Sequence, residues 1–139
     1  MSVVGLGAAA ALHGAWARGS SWPAPDRDQL CDLVVGRRPF PSSAATWGVT
    51  ALLTGATSLA AVRTGVVPLH FPGLDRPVRI GSNLVVSVLL LRGAGGLVVA
   101  AVGRSGASTQ FLRWDARLYS PLCLVLAASL ALGARAEQA

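Results

Sequence analysis

Lysine is missing from this 139-residue chain and acids are scarce: all twelve basic side chains are arginines, set against six Asp and Glu. Charged residues make up only 13%, about half the share that a soluble globular domain carries. A soluble protein of this length needs a charged surface over its core, so that class is excluded. Apolar residues reach 53%, and the composition reads as a membrane protein one domain long. Cysteine is nearly absent as well. Cys31 and Cys123 stand far apart with no CxxC pattern, which gives no support to thiol-redox or quinone-coupled chemistry and leaves two small buried or interfacial thiols. His13 and His70 have no second His or Cys at ligand spacing. No metal and no cofactor is expected.

What is present is arginine and long apolar runs. A net charge of +6 raises the question of nucleic acid. The arginines, however, are spread over the connections between apolar runs, where they set topology and anchor lipid headgroups. Membrane lipids are the expected partners, and no nucleic acid is.

Four apolar runs predict an all-α fold, an integral membrane four-helix bundle over residues 1–139. The first, Val3–Ala17, covers about 22 Å, and carried on to Trp22 it reaches about 30 Å, enough to cross. Ala15-Trp16-Ala17 resembles a signal-peptidase site, but Met1-Ser2 supplies no basic leader, which favours a retained helix. The other spans are expected near residues 44–62, 80–103 and 116–134. In the first connection, Asp26-Arg-Asp-Gln29 reads as a capping box. Leu30, Leu33 and Val34 then share one face and Gly36 supplies the stop. A short amphipathic helix on the membrane surface follows from this, with an ordinary loop holding one helical turn as the alternative. His70, in the second connection, is most simply a loop residue.

The spans carry a few polar groups. Thr46, Thr50, Thr54 and Thr57 recur at helical spacing and mark the face of the second helix that looks into the bundle. Arg92 sits inside the third apolar run, where an arginine costs on the order of 3 kcal/mol and asks for a partner, an aqueous cavity or an anion. No acid lies within an apolar run, so a partner must come from a helix end. Alternatively, Gly93, Gly95 and Gly96 unwind the helix and let Arg92 snorkel to the interface. A fourth helix begun at Pro121 spans about 21 Å, too short to cross; begun after an N-cap at Asp115 it reaches about 28 Å. Arg117 and Tyr119 then lie at headgroup level.

With four antiparallel helices, the end of the first, the start of the second, the end of the third and the start of the fourth share one membrane side. His13, Trp16, Thr46, Thr50, Asp115, Arg117 and Tyr119 are therefore expected in one half of the bundle, joined by Arg92 if its helix unwinds. Arg18, Arg27, Arg37, Arg38, Arg104, Arg113 and Arg117 fall on that side; Arg63, Arg76, Arg79 and Arg135 fall on the other. Seven against four places the first and third connections in the cytoplasm and both termini outside.

Two stretches carry a resemblance. Ala11-Leu-His-Gly-Ala-Trp16 followed by Gly19-Ser-Ser-Trp-Pro23, together with Arg113-Trp-Asp-Ala-Arg-Leu-Tyr-Ser-Pro-Leu-Cys123, is similar to a family of small bacterial four-helix membrane proteins catalogued as domain of unknown function 3995. The resemblance covers nearly the whole chain and implies a multi-pass bacterial membrane protein without implying an activity. Two function classes remain. One is an accessory protein of the inner membrane that binds an amphiphilic or anionic-headed, lipid-like molecule through His13, Trp16, Thr46, Thr50, Arg92, Arg113, Arg117 and Tyr119, the arginines meeting phosphate or carboxylate. The other is a membrane-embedded enzyme on an apolar, isoprenoid-like substrate, with Asp115 as general acid assisted by His13 or Tyr119.

Overall fold

The computed structural model describes residues 1–68, 73–103 and 106–136, with side chains to Gly133. The chain is helical, with no strand among the described residues. In order come α1 (Ser2–Ala17), α2 (Arg27–Val34), α3 (Ser43–Arg63), α4 (Asp75–Val102), α5 (Thr109–Trp114), a π-helical turn (Asp115–Tyr119) and α6 (Ser120–Ala136). The last three run on without a break. His70 and Arg104 lie outside the described residues.

Three helical stretches are long and apolar enough to cross a membrane: Ser43–Arg63, Asp75–Val102 and Thr109–Gly133. The α1 helix is shorter than the 3–22 span expected for it. It ends at Ala17 because the chain turns back through Gly19, whose φ of 102° ends the right-handed path. The indole Nε1 of Trp16 then donates to the Trp22 carbonyl at 2.7 Å, fixing the reversal. Its 16 residues cover about 24 Å, short of a hydrocarbon core about 30 Å thick.

Two helix pairs make the bundle, α1 against α3 and α4 against α6. Between α1 and α3, Gly7 and Gly14 admit the methyl groups of Thr57 and Thr50, each 3.6 Å from where a Cβ would stand. Small residues facing methyl groups let membrane helices approach closely. The threonine stripe divides: Thr46 is buried, Thr50 and Thr57 half-buried, and Thr54 exposed. All four hydroxyls donate to the carbonyl four residues back, so none is left unbonded in an apolar setting. Leu6, Ala56, Ala60, Leu126 and Leu130 form a buried cluster joining the two pairs toward the end where α1 begins and α3 ends.

At the other end α2 closes the bundle. Asp26 accepts the Gln29 amide at 2.8 Å as expected of its N-cap, while the Gln29 side chain returns to the Asp26 carboxylate, also at 2.8 Å. Leu30 is fully buried, Leu33 and Val34 are half-buried, and Gly36 ends the segment at φ 78° with Phe111 packed where a side chain would go. Ser108 ties this cap to the α5 entry. Its amide donates to the Gly36 carbonyl at 2.8 Å and its hydroxyl to the Asp32 carbonyl at 2.5 Å.

Two carboxylates, the cap Asp26 and Asp32 within α2, give this helix a pH dependence. The Gln29 backbone and side-chain amides hold Asp26 below the usual carboxylate range, and the Arg38 guanidinium hydrogen-bonded to Asp32 does the same there. Both folded values lie below the ordinary value of about 3.9. The contribution is therefore complete above that pH and lost as pH falls through the lowered folded values. Amide protection factors over α2 should fall below about pH 4 while those of α3 hold. Equal loss in both helices would mean that these carboxylates do not stabilise α2 locally.

Candidate functional site: an arginine–aspartate pair in the membrane span

Arg92 lies well inside α4, ten residues (102 − 92) before its end at Val102 and thus about 15 Å along the axis. The helix does not unwind around it: α4 is continuous from Asp75 to Val102. The partner is Asp115, which lies inside the last helical stretch. Arg92 Nη2 lies 2.6 Å from Asp115 Oδ1, with the Asp115 side chain 2% exposed and that of Arg92 43% exposed. One half of the pair is sealed among helices and the other opens outward.

Asp115 reaches Arg92 because it is not an N-cap. The helix starts six residues earlier, at Thr109, where the Ser108 hydroxyl accepts the Phe111 amide at 3.1 Å. A helix of about 28 Å from Asp115 is already long enough to cross; the capping Ser108 extends it. Within this longer helix, residues Asp115–Tyr119 widen into a π turn in which the Ser120 amide donates to the Asp115 carbonyl. Pro121 supplies the reason, since it has no amide hydrogen and its ring collides with the carbonyl four residues back in an α-helix. In an α-helix Asp115 and Ser120 would stand about 140° apart, at about 100° per residue. In the structure both are buried against α4, Asp115 at 1% and Ser120 at 0% exposure.

The glycines of α4 permit this approach. A Cβ on Gly96 would collide with Ser120 Oγ and lie 2.5 Å from both Arg92 Nη1 and Asp115 Oδ2. A Cβ on Gly93 would lie 2.9 Å from the Ser120 carbonyl oxygen. Gly95 faces open space. The expectation that these glycines loosen the helix is thus replaced by close packing: two of the three make room for α6 and the ion pair. Ser120 Oγ is buried against the pair and has no hydrogen-bond partner among the described residues.

The residues expected to converge fall into three places. Arg92 and Asp115 share a shallow groove of about 280 Å³ with Leu91, Gly95, Gly96, Val99 and Phe111. Tyr119 stands nearby, its ring centroid 6.3 Å from that of Phe111 and its hydroxyl donating to the Leu33 carbonyl at 3.4 Å. His13, Trp16 and Thr46 line a different cavity, between α1, α3 and the residues following α2. Thr50 packs beside Gly14 outside that lining. Arg113 and Arg117, both exposed, belong to a third groove with Gln110 and Trp114. The single expected cluster divides because the α1–α3 and α4–α6 pairs each bring their own polar groups to the α2 end. Ser120 and Phe111 were not signalled by residue type, and Gly93 and Gly96 were signalled only as residues that unwind the helix.

Neither cysteine forms a disulfide; Cys31 is buried, its thiol donating to the Arg37 carbonyl at 2.9 Å, and Cys123 is half-buried. Burial pushes the Cys31 thiol above its ordinary range, away from thiolate reactivity. Among the described residues no group of three or more His, Cys, Asp or Glu side chains could hold a metal ion.

Three helices able to cross a membrane, two of them joined by the Arg92–Asp115 ion pair, and a shorter apolar one define a class: an all-helical protein with the features of a membrane location. Within it, the chain belongs to the family described as Protein of unknown function (DUF3995), which it matches over residues 6–130. The matched stretch takes in the residues of all three grooves. Neither a curated protein nor a solved structure matches the chain.

Proposed function

We propose that this is a multi-pass protein of the bacterial inner membrane, in an accessory role, that binds an amphiphilic or anionic-headed lipid-like molecule at Arg92. One observation carries the reading: a guanidinium inside a membrane span is anchored on one side by a buried carboxylate and is 43% exposed on the other. Arginine has five N–H donors in a fixed fork. One meets Asp115, and the rest have no acceptor among the described residues. A phosphate or carboxylate on the outer edge of the guanidinium would satisfy them, with its apolar chain along Leu91 and Val99. The exposed Arg113 and Arg117 add positive charge near the α5 entry, suited to neighbouring headgroups.

The decisive comparison is wild type against the double variant Arg92→Leu/Asp115→Asn, which removes the guanidinium without leaving a buried charge. Native mass spectrometry of the wild type should show a retained lipid, and the double variant should lose it with helix content unchanged. An unaltered lipid adduct in the double variant would reduce the pair to a structural staple.

Orientation belongs to the same proposal. The arginine excess at the α2 end puts that end in the cytoplasm and the far end of α6 outside. A C-terminal reporter active only in the cytoplasm should stay silent, and its activity would invert the assignment. The enzyme reading draws less support. It needs Asp115 to donate a proton, whereas an ion-paired carboxylate is an acceptor, and its proposed assistant His13 lines a separate cavity.

A further inference from the structure

The cavity lined by His13 and Trp16 differs chemically from the Arg92 groove. It measures about 300 Å³, the lower end of the range for small-molecule sites. Trp16, Phe40, Val34, Val35 and Val49 make its walls apolar, with His13 and Thr46 as the polar side chains. It sits at the α2 end, between the last turn of α1 and the first turns of α3. A molecule dissolved in the membrane could enter there from the headgroup region.

The hydrogen bonds around it select the ligand. The Trp16 indole N–H is engaged by the Trp22 carbonyl, and the Thr46 hydroxyl donates to the Ser42 carbonyl at 3.0 Å. His13 Nδ1 lies 2.8 Å from the Ala9 carbonyl oxygen. A carbonyl only accepts, so Nδ1 carries the hydrogen, and in the neutral ring Nε2 is then a bare acceptor. The Trp16 ring holds the imidazole in place, with centroids 4.9 Å apart. Every polar side chain lining the cavity has committed its donor, and acceptors are what remain. An anion would find no side-chain donor here. A ligand must bring its own.

We propose that this cavity is a second binding site, for a neutral apolar molecule bearing a hydroxyl group that donates to His13 Nε2. Its selectivity is opposite to that of Arg92: one site asks for an acceptor, the other for a donor.

The test uses Trp16 as reporter. In the full-length protein carrying Trp22→Phe, Trp47→Phe and Trp114→Phe, reconstituted in phosphatidylcholine nanodiscs, Trp16 fluorescence is titrated with a terminally brominated long-chain alcohol. The matching brominated alkane and the brominated carboxylate serve as comparisons. The alcohol should quench saturably at a concentration roughly tenfold below the other two, the worth of one hydrogen bond. In His13→Phe that preference should vanish, leaving the alcohol no better than the alkane. Val49→Phe, at the edge of the cavity, should weaken all three probes with helix content unchanged, and it serves if His13→Phe fails to fold. Equal binding of alcohol and alkane to the wild type, a preference for the carboxylate, or no saturable quenching would each overturn the proposal.

Discussion

Arg92→Leu is expected to lower stability by about 3–5 kcal/mol, the loss that follows when one partner of a buried ion pair is removed. Asp115→Asn should cost much less, about 1–2 kcal/mol. The asymmetry comes from burial. Leucine at position 92 would leave a carboxylate 2% exposed with no cation beside it, where desolvation is severe. Asparagine at position 115 leaves an arginine that is 43% exposed and long enough to bend toward the headgroups, while the amide oxygen can still accept from it. The double variant Arg92→Leu/Asp115→Asn should recover most of what Arg92→Leu loses, because neither charge remains. Thermal unfolding of the purified proteins in one detergent orders the four. Equal losses for the two single variants, or additive losses in the double, would mean that the pair does not act as a unit.

Gly96→Ala should be nearly as damaging, at about 2–4 kcal/mol, from overpacking together with a displaced ion pair. The added methyl group would meet the Ser120 hydroxyl, the Arg92 guanidinium and the Asp115 carboxylate together; Ser120 and Asp115 are buried, and Arg92 can move only outward, away from Asp115. Gly95→Ala, one residue away, is the internal control. Its methyl would enter open space, and alanine favours a helix over glycine by about 1 kcal/mol, so it should be neutral or mildly stabilising. The two alanine variants melted side by side separate close packing from flexibility. If Gly95→Ala destabilised as much as Gly96→Ala, the glycines would be acting through backbone freedom instead.

That contrast also shows what the sequence could tell. Apolar runs bounded by proline and arginine located the helices, since hydrophobic length leaves few alternatives in a membrane. The Asp26–Gln29 cap was legible because capping is a local affair of four residues, and so was the cost of Arg92, although Asp115 meets it from within a helix and not from its end. Glycine is ambiguous in one dimension: the same absence of a side chain permits unwinding and permits contact, and only the neighbouring helix decides. For Gly93 and Gly96 the neighbour is α6 with its Ser120. By composition Arg18–Trp22 can extend α1, but the Trp16 indole captures the Trp22 carbonyl across the turn and α1 ends at Ala17. The single polar cluster failed for a related reason. Membrane depth can be read from a helix count, but which face a residue occupies at that depth depends on how the helices pair.

The π turn has a consequence for the phase of the last membrane segment. It adds one residue to a helical repeat, which offsets everything after it by about 100°. Drawn on a uniform helical wheel, Asp115 falls off the stripe defined by Ser120, Ala127 and Leu130, all at 0% exposure. With the wide turn it joins that stripe's side of the helix. Upstream, Phe111 answers to Gly36 beyond α2; downstream, Leu124 and Leu126 answer to Gly93 on α4 and Gly5 on α1. One continuous rod thus keeps two registers, and Pro121 lies just beyond the seam between them.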